Sequence, residues 1–196
     1  MALVLSASAV TTSINAQVAA VGTAGSKTET PVAKSSSEES FMDRYYGFKT
    51  AYPALSTANG FYAAASCTKE KFVERYNQIK AAYPKLTDVW VNYAGTTLDL
   101  EEFAKRYFEM KDTYPAMTKY YGYYAASNKT LADFIKRYNQ IKDSAPDLAD
   151  YYGQYAASDH ELPTFSARDN GIKATNTGIR SCYGEYAGST KKLTAK

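Results

Sequence analysis

Two cationic side chains return along this chain at a fixed spacing. Arginine occupies Arg44, Arg75, Arg106, Arg137 and Arg168, and lysine occupies Lys49, Lys80, Lys111, Lys142 and Lys173. Each column steps by 31 residues. Two uses are open. In one, each Arg bonds a carboxylate or a helix C-terminus of the adjacent unit while each Lys solvates the outer face. In the other, the ten cations form a regular ladder presented to an acidic surface of a protein partner. Arg and Lys lie five residues apart in each copy, roughly 140° around a helix, so they cannot share one narrow stripe. Arg is then the interface residue and Lys the outermost one.

Other chemistry is sparse. His160 is the single histidine and stands in DHELPT beside Asp159 and Glu161. One histidine cannot build a multi-histidine metal site, and no nucleophile motif surrounds it. There is no glycine-rich phosphate loop. Asp99, Glu101 and Glu102 fall at a helix start, where the helix dipole accounts for them. The reading is therefore a non-enzymatic protein with no metal. The two cysteines, Cys67 and Cys182, make neither a disulfide framework nor a zinc site. Cys182 reads as a small buried hydrophobe, whereas Cys67, beside an N-cap threonine, is placed to carry a thioether-linked group. Twenty acidic residues nearly balance 23 basic ones, and the tyrosines sit at core spacing. Both facts argue against a nucleic-acid reader built on Tyr and Arg.

The elements that hold these residues repeat with them. FMDRYYGFKTAY starts at Phe41, FVERYNQIKAAY at Phe72, FAKRYFEMKDTY at Phe103 and FIKRYNQIKDSA at Phe134; an eroded copy, FSARDNGIKATN, starts at Phe165. In copy two, Phe72, Tyr76, Ile79 and Tyr83 form one apolar stripe at i, i+4, i+7 and i+11, which predicts an amphipathic helix. Ser37, Thr68, Asp99 and Thr130 stand four residues ahead as N-caps. A proline follows in the first four copies and stops this helix, and it suits the first turn of the next. Leu86, Val89, Trp90 and Tyr93 then give a second apolar face. Small-residue runs such as AAAS and AASN close it and allow tight approach of neighbours.

The fold class this predicts is all-α: five tandem helical hairpins of 31 residues, the last one degenerate. The sequence leaves open a short solenoid or a compact helical bundle. The fifth copy places Asp169 where the others have Tyr, has Thr177 in place of the proline and gains Gly171 and Gly178. This predicts a capping, partly unwound unit. Residues 37–191 form the repeat domain and 192–196 a tail. Residues 1–36, rich in Ala, Ser, Thr and Val, read as a flexible extension, a targeting remnant or a partner-docking arm. ALVLSASAV is too short for a membrane span. Ser36 and Glu39 stand at capping-box spacing.

Composition points one step further. The chain combines 45% hydrophobic residues with nineteen tyrosines and a formal charge of +3. With its Ala/Ser/Thr arm and helical domain it resembles, in general character, the linker proteins of red-algal phycobilisomes. The resemblance rests on composition and organisation, and it carries over no motif. It implies a structural linker that joins acidic, pigment-bearing subunits of a light-harvesting assembly on the stromal side of the plastid thylakoid. It also implies bilins bound through cysteine, for which Cys67 and Cys182 are the available residues. The competing expectation is a helical bundle holding a small hydrophobic ligand or pigment in a Tyr-lined pocket.

Overall fold

A computed structural model describes residues 39–194, which contain ten α-helices and no strand. The arm, with Ser36 and Ser37, lies outside the described residues. The helices come in five pairs. The long outer members are α1 (Phe41–Ala51), α3 (Lys69–Ala82), α5 (Leu100–Thr113), α7 (Leu131–Ser144) and α9 (Leu162–Thr175). Each is followed by a short 3₁₀ turn and a six-residue inner helix. The inner members are α2 (Asn59–Ala64), α4 (Trp90–Gly95), α6 (Tyr121–Ala126), α8 (Tyr152–Ala157) and α10 (Tyr183–Gly188). No helix among the described residues is long and apolar enough to cross a membrane.

Capping explains the outer helix starts. Thr68, Asp99 and Thr130 accept the backbone N–H of Lys71, Glu102 and Asp133, as their positions predict. Copy one differs. Its helix starts at Phe41, one turn later than expected, and Ser40 accepts from the Asp43 N–H at 3.2 Å. The Phe41 N–H bonds the carbonyl of Lys192 instead of extending the helix. The outer helices end alike. Tyr52, Tyr83, Tyr114, Ala145 and Asn176 all leave the helix with φ between −130° and −145° and donate to the carbonyl four residues back. Asn176 does this with no proline after it. The turn geometry stops the helix, and the proline only reinforces it.

The sequence suggests one continuous second helix, but the backbone breaks it. Leu55, Leu148 and Ile179 take non-helical angles inside the 3₁₀ turns. The break turns Leu148 and Ile179 into the core, where both are buried.

The ends meet. Inner helices pack in the order α2, α4, α6, α8, α10 and then back onto α2. The five hairpins therefore close into a ring, with inner helices around the axis and outer helices outside. Closure reuses one aromatic contact five times. Tyr62, Tyr93, Tyr124 and Tyr155 each meet edge-on the phenylalanine that opens the next copy: Phe72, Phe103, Phe134 and Phe165. Tyr186 of the last copy meets Phe41 of the first in the same way, with ring centroids 5.3 Å apart. Such edge-to-face pairs add about 0.5–1.5 kcal/mol beyond burial. Lys192 and Leu193, expected in a tail, belong to this seam through the Lys192 carbonyl and the packing of Leu193.

Glycine sets the inner spacing. A Cβ on Gly153 would stand 2.6 Å from Cδ2 of Tyr123, and one on Gly60 would stand 2.7 Å from Sγ of Cys182. Only a residue without a side chain lets these helices approach so closely. The fifth copy is not unwound. Phe165 and Ile172 are fully buried and hold α9 at fourteen residues despite Gly171. Asp169 is buried in the tyrosine position and pairs with Lys173 one turn on.

Candidate functional site

The arginine column is turned onto the protein's own inner helices, with Arg44 and Arg75 buried and Arg106, Arg137 and Arg168 half-buried. Each guanidinium lies over the tyrosine ring of its own inner helix, 4.1 to 4.3 Å from the centroid. It also donates to two carbonyls of the chain. Arg106 takes Tyr124 O and Lys129 O; Arg44 takes Tyr62 O and Cys67 O. Arg75, Arg137 and Arg168 repeat the pattern on Tyr93 and Leu98, Tyr155 and His160, and Tyr186 and Lys191. One carbonyl closes the C-terminus of the inner helix, and the other lies in the link to the next copy. The tyrosine carbonyl also accepts the backbone N–H three residues on, so the arginine adds a second donor there and ties it to the link carbonyl. These arginines therefore do not form a ladder for a partner. Each staples its own hairpin to the entry of the next, a role close to the helix-terminus bond that the spacing allowed.

The lysine column divides. Lys49, Lys80, Lys111 and Lys142 are exposed on the outer helices and form no ion pair among the described residues. Lys80 lies over the Trp90 ring at 5.6 Å and Lys111 over Phe108 at 5.8 Å. Phe108 is itself the one exposed large hydrophobic side chain of the described residues. Lys173 leaves the set, since it pairs with Asp169 and lies over Tyr151.

The cysteines are also separated by environment. Cys182 is buried in the seam cluster against Gly60, as a small hydrophobe, and burial pushes its thiol up to about 11. A buried thiol held protonated in this way is a poor nucleophile for a thioether link, which argues against Cys182 as an attachment point. Cys67 is half-buried, donates to Ala94 O at 3.8 Å, and is also raised by burial. Neither is a reactive thiolate at neutral pH. His160 is engaged too: its Nε2–H donates to Ser189 O at 2.7 Å, so the ring ties copies four and five. Among the described residues no cluster of His, Cys, Asp and Glu is placed to hold a metal ion.

The feature that sequence reading missed lies on the axis. One position of each inner helix faces it, and the five copies put Phe61, Asn92, Tyr123, Gln154 and Glu185 there. They line an axial cavity of about 210 Å³, with Ala64, Gly95, Ala126, Ala157 and Gly188 making room around them. Phe61 and Tyr123 stack across it with centroids 6.2 Å apart. Gln154 Nε2 donates to Tyr123 Oη at 2.8 Å and to Glu185 Oε1 at 3.1 Å, and the Tyr123 hydroxyl donates to Glu185 Oε1 at 3.4 Å. Burial pushes the Glu185 carboxyl upward, and the Gln154 and Tyr123 bonds offset that only in part. Tyr123 is raised for the same reason, with the Glu185 charge adding to it. Among the lining residues Glu185 alone carries a charge. The signal was in the sequence: NGFYAA, WVNYAG, YGYYAA, YGQYAA and YGEYAG keep their tyrosine and vary the residue before it.

No family model, curated protein or solved structure matches this chain.

Proposed function

We propose that this protein is a non-enzymatic scaffold, a rigid ring that docks acidic protein subunits of a larger assembly against its outer face. The observation that carries this reading is the set of four exposed lysines on consecutive outer helices, Lys49, Lys80, Lys111 and Lys142, all without a carboxylate partner among the described residues. Recurring cations at fixed spacing on a stiff support steer and align a negatively charged partner. Phe108 beside Lys111 adds an aromatic anchor of the kind that supplies affinity. Stapling each hairpin through its own arginine keeps the array rigid, so little ordering cost attends docking.

A phycobilisome-type light-harvesting complex in the plastid is the assembly suggested by the compositional resemblance. Cys67 is then the single cysteine open enough for a bilin, after release from Ala94 O. The test is the native mass of the protein isolated gently from its source at low and high salt, with the visible spectrum recorded. A large assembly that sheds this chain as salt rises supports the scaffold, and coloured partners support the light-harvesting setting. A lone species near 21.6 kDa at both salts overturns it.

A further inference from the structure

The axial cavity has a chemistry that the scaffold does not use. Glu185 is more than nine-tenths buried, and its Oε2, closed off from solvent, has no hydrogen-bond partner among the described residues. Gln154 Oε1 is also closed off from solvent and unpartnered among the described residues. Both residues belong to the cavity wall. Within the Tyr123–Gln154–Glu185 network the amide and phenol donors are already directed at acceptors. What remains over is two acceptor atoms, one of them on a carboxylate. An unpaired buried acceptor is costly, and a buried charge without a counter-charge more so. Taking up a proton would remove the charge of Glu185; a group that instead satisfies both acceptors with the carboxylate ionised brings at least two hydrogens and a positive charge.

The rest of the wall limits the shape. Phe61 and Tyr123 present aromatic surface, and the faces of such rings attract a cation. Asn92 adds an amide able to donate or accept. The surrounding Ala and Gly positions leave space without competing charge. A cavity of about 150 Å³ takes benzene, so about 210 Å³ accommodates a ring bearing an aminomethyl group.

We propose that the axis of the ring is a binding site for a small organic ammonium ion with an aromatic or compact apolar body. Its N–H groups donate to the Glu185 carboxylate and the Gln154 carbonyl oxygen once these two side chains turn into the cavity, while its apolar part lies against Phe61 and Tyr123. This site is independent of the lysine belt, because it faces the axis rather than the rim.

The test uses the full chain and three probes of one shape: benzylammonium chloride, benzyl alcohol and sodium benzoate. Calorimetric titration and thermal melting are run with each. Benzylammonium is expected to give saturable heat and a Tm that climbs with concentration, and to bind at least tenfold more tightly than the alcohol or the benzoate. Glu185→Gln, which keeps size and removes charge, is expected to abolish that preference. Equal binding of all three probes, or no saturable heat from benzylammonium at millimolar concentration, overturns the proposal. If the variant fails to fold, the selectivity of the native protein among the three probes decides alone.

Discussion

Two columns of one repeat behave in opposite ways. At the staple positions the copies are the same: Phe, Arg and Tyr recur at 41, 44 and 62 and at every step of 31 thereafter. At the axial position no two copies agree. Symmetry explains both. Each staple faces an identical interface, so five equal interfaces require five equal solutions, including the one between last and first copies. The axial residues converge on a single volume. Five tyrosines would overfill it and five glutamates would repel one another, so variation there is a physical requirement of closure. Ring geometry, however, does not require a carboxylate among them. Replacing Glu185 by an apolar residue would suit packing better, which is why its presence points to binding.

The comparison can be broken most forcefully at the staple. Arg75→Ala removes a cation stacked on Tyr93 and a donor to the carbonyls of Tyr93 and Leu98, of which Tyr93 O keeps the Thr96 N–H. With charge-assisted bonds at about 1.5–3 kcal/mol each, a loss of about 3 kcal/mol or more is expected in urea denaturation. Arg75→Lys should recover only part, since an ammonium cannot stack and fork at once. Arg106→Glu, which the sequence alone would assign to partner binding, should behave in the same way and lower Tm foremost.

Next in size is Gly153→Ala. Its Cβ would press on Tyr123 and Tyr120, and overpacking of this kind costs about 1–3 kcal/mol. The same melt should show the Gln154 to Tyr123 bond weakened through altered tyrosine fluorescence.

Glu185→Gln should run the other way. Burial raises the Glu185 carboxyl above its ordinary value, so the folded state holds its proton to higher pH than the unfolded state does. Stability is then lost as pH rises from about 4.3, the ordinary glutamate value, through the folded value. The variant should match the native protein near pH 4 and exceed it at neutral pH. A gain of about 1 kcal/mol corresponds to about 2–4 °C in Tm for a chain of this size. A variant less stable at every pH would contradict this.

The smallest effect on folding belongs to the rim. Lys80→Glu together with Lys111→Glu should change stability by no more than about 0.5 kcal/mol. The same pair should dissolve any low-salt association with acidic partners, read by sedimentation at two salt concentrations. Unchanged association would move the docking face away from the lysines.

Much of the fold was legible because local and global signals agree. Phe72 and Ile79, buried, with the half-buried Tyr76 and Tyr83, name the inward face, and Thr68, Asp99 and Thr130 name the starts. Closure was not legible, because the Tyr186–Phe41 contact uses the same residue types as contacts between neighbours in an open stack. The first cap was misplaced because Phe41 N–H bonds Lys192 O, a partner about 150 residues away that local pattern reading does not see. The fifth helix survives Gly171 because packing of Phe165 and Ile172 overrides propensity. Arginine was ambiguous since its period is the same for an inward staple and an outward ladder. The axial column was overlooked because it does not repeat, and a search for recurrence passes over the one position that differs each time.

The division of labour between shell and axis is tested most directly by one paired experiment: thermal melting of Arg75→Lys and Glu185→Gln, each with and without benzylammonium. The account predicts that Arg75→Lys melts lower yet keeps its ammonium-dependent rise in Tm, while Glu185→Gln melts at least as high as the native protein and loses that rise. An undiminished ammonium response in Glu185→Gln, or loss of that response in Arg75→Lys, would contradict the account.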